Sequence, residues 1–311
     1  MNKKEKIRKF LYFFGIISGG AILIYQLILA IRAIPNVTFS QNAFLFILSS
    51  LLSATFAIGM QIVGWFLLIN STDFKIGFTA VLKGYSISFL PRYLPGTILG
   101  YISRGEWLFQ KHSIPFSVSY SISIWEVIAS LIANGLIILV YLTNKFLPTY
   151  WIIIIALPLI PLLLHKILEI LFSYLNKMEI KIFGKIIQID TVPLKYWYLS
   201  VLFFIFHWIL LGFSLSQILS SLGVNVTSFL DVVFSGNLSW LSGFFVFFAP
   251  AGLGYREATL SYLLTDIFEI SDGIGSIASS FFRLLTITAE LLWIISSLIV
   301  GKIKKGVFTE E

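Results

Sequence analysis

Long apolar runs separated by short polar connections dominate the chain. They lie at about 10 to 31, 43 to 69, 115 to 142, 149 to 173, 196 to 222 and 274 to 301. Each approaches or exceeds the roughly 20 residues that a helix needs to cross about 30 Å of hydrocarbon. Two further apolar regions, about 77 to 110 and 229 to 269, carry Pro and Gly in their middles. The pattern predicts an all-α, polytopic membrane helix bundle in which those two regions are broken hairpins.

Charge orients the runs. "MNKKEKIRK" precedes the first run with no small-residue cleavage site after it, the mark of an anchor that stays in the protein. Lys177, Lys181, Lys185 and Lys195 occupy the longest polar connection, and Lys302, Lys304 and Lys305 follow the last run. An excess of basic residues marks the cytoplasmic side, so both termini and the 174 to 195 connection are expected there. The count then requires region 77 to 110 to begin and end inside, and region 229 to 269 to begin and end outside. Re-entrant hairpins satisfy both conditions, although two full crossings over 229 to 269 also balance the count. The chain reads as one transmembrane domain, 1–311, with two inverted-topology halves at about 1–145 and 146–305.

The break sequences support that symmetry. "YLPGTILGYISRGEW" holds Pro95, Gly96, Gly100, Tyr101, Arg104 and Glu106, while "FAPAGLGYREATL" holds Pro250, Gly252, Gly254, Tyr255, Arg256 and Glu257. Proline, glycines, Gly-Tyr, a base and an acid recur in that order at unequal spacing. Paired Pro/Gly-interrupted segments in two halves point to a transporter's binding site.

Composition narrows the chemistry. The chain is 58% hydrophobic and 12% charged, against roughly 25% charged in soluble domains. Cysteine is absent, so disulfides, thiolate metal sites and cysteine nucleophiles are excluded. The net charge of +7 sits at the ends of apolar runs rather than on a soluble face, so no nucleic-acid partner is expected.

"PRYLPGTILGYISRGEWLFQKHSIP", with "WE" in the next run, resembles the first signature of the flippase-like membrane proteins related to the transmembrane region of lysylphosphatidylglycerol synthase. "PAGLGYREA", with Arg283 in the last run, is similar to the second, and the resemblance covers nearly the whole chain. It implies movement of a lipid or lipid-linked headgroup between leaflets. The synthase members carry a soluble aminoacyl-transfer domain for which no stretch here is long enough, so that activity is expected to be absent.

The residues suggest the same role physically. Pro and Gly inside a bilayer free backbone groups that are tolerated only in protein or in a wet cavity. The helix that restarts after the break offers N–H donors and a positive dipole end. Arg256 adds a planar fork suited to phosphate. The candidate substrate-binding set is Arg92, Pro95, Gly96, Gly100, Arg104, Glu106, Glu126, Pro250, Gly252, Gly254, Arg256, Glu257, Arg283 and Glu290. Arg104 and the break at Pro95 form the expected counterpart of Arg256. Against this, Arg256 could be a strut paired with Glu290, Glu126 or Glu257, and Arg104 and Glu106 could lie at the cytoplasmic interface. Arg283 and Glu290, seven apart, share one face of the last run.

Other features read as structural. His165 and Glu169 are four apart, but they lack a third ligand and fit interfacial side chains better than a metal pair. His207, well inside a run, suits a packing histidine or a proton-coupled step. The expectation is a lipid translocase taking an anionic headgroup, without catalytic residues, metal or cofactor. The alternative is an intramembrane transferase acting on a lipid-linked substrate. Its expected place is the cell (inner) membrane of a prokaryote, its partners are membrane lipids, and a second copy or a separate lipid-modifying enzyme stays open.

Overall fold

The computed structural model describes residues 3–93, 99–147, 157–178, 181–182, 185–186, 188–246 and 249–307. The elements are α1 (Lys3–Ala33), α2 (Ala43–Asn70), α3 (Phe78–Ile87), α4 (Leu99–His112), α5 (Phe116–Phe146) and α6 (Leu159–Lys177). A two-residue antiparallel ladder, β1 (Lys181–Ile182) with β2 (Lys185–Ile186), comes next. Helices α7 (Leu194–Ser221), α8 (Phe229–Phe245), α9 (Tyr255–Phe268) and α10 (Asp272–Val307) complete the order. Short 3-10 turns lie at Ile34–Asn36, Leu90–Tyr93 and Pro250–Gly252.

Among the described residues five helices are long and apolar enough to cross a membrane: α2, α5, α6, α7 and the Asp272–Val300 part of α10. They fall where the apolar runs predict spans, and the start of the 149 to 173 run lies outside the described residues. The lipid-like exterior is plain on α6, where Leu163 is 63% and Ile170 72% exposed. In a bilayer such exposure removes no favourable burial, because the solvent there is apolar. Both broken regions resolve into short helices on either side of a 3-10 turn, α3 and α4 around Leu90–Tyr93 and α8 and α9 around Pro250–Gly252.

Local chemistry fixes the ends. Gly223, at φ +73°, closes α7 with a Schellman pair in which Val224 N–H donates to Leu219 O and Gly223 N–H to Ser220 O. Ser228 Oγ accepts from Asp231 N–H at 3.3 Å and caps α8, with the Asp231 carboxylate favourable in that first turn.

The chain divides into two compact units that do not follow sequence order. The first comprises 1–57, 90–99 and 208–292. Its core is Leu215, Ile218, Leu219, Leu222, Val232, Leu260, Leu264, Ala278 and Leu285. Polar side chains join its helices: Ser50 Oγ donates to Ser214 O at 2.8 Å between α2 and α7. Ser276 Oγ donates to Gln26 Oε1 at 2.6 Å and bonds Ser261 Oγ at 3.1 Å, which ties α1, α10 and α9. Such hydroxyl bonds supply association between apolar helices where the hydrophobic effect does not.

The second unit comprises 58–89, 100–207 and 293–311, and its largest buried side chains include Trp65, Trp125, Trp197 and Tyr85. Gly84 lets α3 meet α4, since a Cβ there would stand 2.5 Å from the Trp107 ring. The polar connection is clamped rather than loose over 188–192. Trp125 Nε1 donates to Asp190 O at 2.9 Å, Asp190 N–H donates to Ser121 Oγ at 2.8 Å, and His165 Nε2 meets Val192 O at 2.8 Å. His165 also stacks on Trp125 with ring centroids 5.2 Å apart, so its ring is a buried packing element, with Glu169 at 3.7 Å as a loose neighbour.

In the first unit α1 packs on α9 and on the 250–252 turn through two glycines, Gly19 and Gly254. A Cβ on Gly254 would run into the Gly19 carbonyl, and its φ of +79° disfavours any side chain. Gly254→Ala should therefore destabilise the protein by about 1–3 kcal/mol, read as a lower Tm in detergent. Gly20→Ala, where a Cβ meets nothing within 4 Å, is the control and should leave Tm unchanged. Equal Tm values for both variants would contradict this packing.

Candidate functional site

The site grows out of the break between α8 and α9. Ala251, Gly252 and Gly254 all take positive φ, at +50°, +68° and +79°. Pro250 begins the 3-10 turn at a position where its missing N–H is harmless. Gly254 N–H donates to Glu257 Oε2 at 2.7 Å, so the third residue of α9 reaches back to hold the helix start. The first intrahelical bond follows at once, from Ala258 N–H to Gly254 O at 2.9 Å.

Arg256, in the first turn of α9, lies in a slot made of glycine. A Cβ at Gly252 would be 3.0 Å from Arg256 Nε, and one at Gly243 would be 2.7 Å from the same atom. Those two glycines leave room for this side chain to run across α8. Its guanidinium carbon is 5.6 Å from the centroid of the Trp240 ring, within cation–π reach. Ser239 Oγ donates to Arg256 O at 2.9 Å and anchors the backbone beneath.

What Arg256 lacks is a carboxylate. Ion pairs among the described residues join Arg92 to Glu290, Arg104 to Glu126, Arg283 to Glu257 and His165 to Glu169, and Arg256 is in none of them. Its Nε is shut off from solvent with no hydrogen-bond partner among the described residues. The strut pairing of Arg256 with Glu290, Glu126 or Glu257 therefore does not form: each of those carboxylates holds a different arginine.

The neighbouring pairs complete the site. Glu290 accepts from Arg92 Nη1 at 2.8 Å and from Tyr93 OH at 2.9 Å, using both carboxylate oxygens. Glu257, 2% exposed, has Arg283 Nε at 3.4 Å from Oε1, an ion pair without hydrogen-bond geometry. The Arg283 guanidinium stands 5.7 Å from the Tyr93 ring centroid and links the two pairs. The 90–93 turn packs against the 250–252 turn, so the entry of the first broken region meets the second break within one unit. Arg256 thus feels Arg283 and Arg92 as repulsive charges and Glu257 and Glu290 as attractive ones. Three guanidiniums face two carboxylates.

The remaining candidates lie elsewhere. Arg104 and Glu126, 2% and 0% exposed, form a 2.8 Å pair in the second unit. Arg104 Nη1 also donates to Ser88 Oγ at 2.9 Å, and its guanidinium stands 4.4 Å from the ring centroids of both Tyr85 and Tyr101. Arg104 is therefore a buried, ion-paired side chain, unlike its expected counterpart Arg256. Glu106 turns away from it, accepting from Tyr120 OH at 2.5 Å and from Gln110. Gly100 is buried at the start of α4, and its carbonyl accepts from Ser103 Oγ at 2.8 Å. Pro95 and Gly96 lie outside the described residues.

Sequence reasoning passed over Tyr93, Trp240 and Gly243. Tyr93 follows Arg92 directly in "PRYLPG", and Trp240 and Gly243 stand three apart in "WLSGFF", one helical face leading to the break. His207 is also accounted for in part, since its Nε2 is 2.8 Å from Gln61 Nε2. Among the described residues no group of three or more His, Asp or Glu is placed to hold a metal ion.

Breaking a buried ion pair leaves an uncompensated charge, at about 3–5 kcal/mol, whereas replacing both partners with apolar residues is often neutral. Glu126→Gln should accordingly lower Tm strongly, and Arg104→Met with Glu126→Leu should recover most of the loss. Thermal unfolding of the two variants in detergent checks this, and a double variant no better than the single one would contradict it.

The chain matches no family model, no curated protein and no solved structure, so its functional reading rests on the geometry above.

Proposed function

We propose that the chain is a membrane lipid translocase that engages an anionic headgroup at Arg256. One observation carries the reading: a guanidinium with no carboxylate partner among the described residues, held in a glycine slot beside the start of α9. A charged side chain at membrane depth is costly unless compensated, and such residues mark substrate pathways. Here the compensation is left to a ligand. The position supplies what an oxyanion needs, a planar donor fork next to a helix N-terminus. The apolar flanks of the break suit acyl or prenyl tails that stay in oil while the headgroup crosses.

Three lines support the reading and are part of the proposal. The two break sequences are alike and their entry turns meet in one unit. The resemblance to the flippase-like family related to the transmembrane region of lysylphosphatidylglycerol synthase rests on the same motifs. The lysine distribution favours both termini on the cytoplasmic side, and the proposed membrane is the cell membrane of a prokaryote. A transferase acting on a lipid-linked substrate gains no comparable support, because the carboxylates near Arg256 are each engaged by an arginine.

Reconstituted vesicles with fluorescent lipids test the proposal. Arg256→Gln should lower movement of an anionic lipid at least tenfold, as expected for losing hydrogen bonds to a charged group of about 1.5–3 kcal/mol. Arg256→Lys keeps the charge without the fork and should fall between the two. Unchanged movement in a folded Arg256→Gln protein would contradict the role.

A further inference from the structure

The cluster around Arg256 has a definite charge. Arg92, Arg256 and Arg283 are its cations, and Glu257 and Glu290 are its anions. Four of the five are already matched in two ion pairs. Each carboxylate has a hydrogen-bonded anchor besides its arginine. Glu290 takes donors on each oxygen, and Glu257 is tied to the Gly254 N–H as well as to Arg283. Neither carboxylate is available to turn toward Arg256 without undoing a turn or a helix start. One positive charge is left over, and it is local to Arg256.

Resting on the translocase reading, we infer that this site selects its lipid by charge and takes a headgroup carrying one net negative charge, a phosphodiester without an attached cation. In a low-dielectric site an unmatched charge is strongly disfavoured, so the ligand that restores neutrality binds best. A phosphodiester carries one negative charge and offers two oxygens to a guanidinium fork. A phosphomonoester carries about −1.5 to −2 at neutral pH and leaves an excess negative charge beside Glu257 and Glu290. A zwitterionic headgroup brings its own cation next to three arginines.

The charge of the cluster can be reset one residue at a time. Arg92→Gln takes it from plus one to zero and leaves Glu290 its bond from Tyr93. Glu290→Gln takes it to plus two. Arg92→Gln with Glu290→Gln returns it to plus one while removing the pair altogether, so it keeps the comparison valid if the single Glu290 variant folds poorly. Arg256 and the residues of the break keep their identity in all three.

The experiment is binding to the full-length purified chain in detergent. The probes are dihexanoyl phosphatidylglycerol, dihexanoyl phosphatidic acid, dihexanoyl phosphatidylcholine and tail-free glycerophosphoglycerol. The native chain should bind the phosphatidylglycerol at least tenfold tighter than the other two lipids. Glu290→Gln should reverse the order of the first two, Arg92→Gln should erase the preference for anions, and the double variant should regain the native order. An order that is the same in the native, Arg92→Gln and double-variant chains alike would overturn the inference, as would native preference for phosphatidic acid or phosphatidylcholine. Glycerophosphoglycerol binding as tightly as its lipid would overturn the lipid part and leave a soluble anion as the ligand. Failure of the translocase reading looks different. The charge order is then obeyed in binding while no lipid moves in vesicles, which supports the charge rule and removes only the transport step.

Discussion

Arg92 and Glu290 are 198 residues apart in the chain and their charged atoms are 2.8 Å apart in space. That contact, with Tyr93 on the second carboxylate oxygen, holds the entry turn of the first broken region against α10. Because the 90–93 turn also packs on the 250–252 turn, the pair fixes where the second break stands. It has a further consequence through stoichiometry. Glu290 is saturated by Arg92 and Tyr93, and Glu257 is shared between Arg283 and the helix start, so the cluster contains no carboxylate for Arg256. The functional reading follows from which arginine takes which acid, more than from the presence of arginine as such.

The two broken regions solve the same problem differently. Each restarts a helix after Pro and Gly and places an arginine early in or near that helix. Arg104 is enclosed by Glu126, Ser88 and two tyrosine rings, a charge matched by its own carboxylate. Arg256 is enclosed by glycine and tryptophan, which hold it in place without neutralising it. Similar sequence signals therefore produce one brace and one open charge. An aromatic ring near Arg256 supports the cation through its quadrupole yet cannot replace an anion, so the position stays receptive.

Much of the fold is legible in the chain because hydrophobic run length is a strong signal when the solvent is lipid. Helices α2, α5, α7 and α10 coincide with the runs, and the second break falls at Pro250, Gly252 and Gly254, where backbone conformation is restricted or freed. The face shared by Arg283 and Glu290 is likewise a matter of helical spacing. Partner choice was not legible. Nothing in "GYREA" reveals that Glu257 turns back to its own helix start and across to Arg283, because both contacts depend on how α9 meets α10. Gly243 is similar: it reads as an ordinary small residue of a membrane helix until the Arg256 side chain is seen to cross it. His165 was likewise illegible in its partners: the spacing of four from Glu169 fits interfacial side chains, while the stack on Trp125 and the bond to Val192 O bury the ring.

A double-mutant cycle on Arg92 and Glu290 tests the central claim most directly. Thermal or denaturant unfolding of the native chain, Arg92→Gln, Glu290→Gln and the double variant isolates their coupling from each residue's separate effect. The account predicts a favourable coupling of about 1–3 kcal/mol, with the double variant more stable than the Glu290→Gln chain that strands Arg92. Strictly additive effects would mean the two residues do not touch, and the arrangement that leaves Arg256 uncompensated would fall with them.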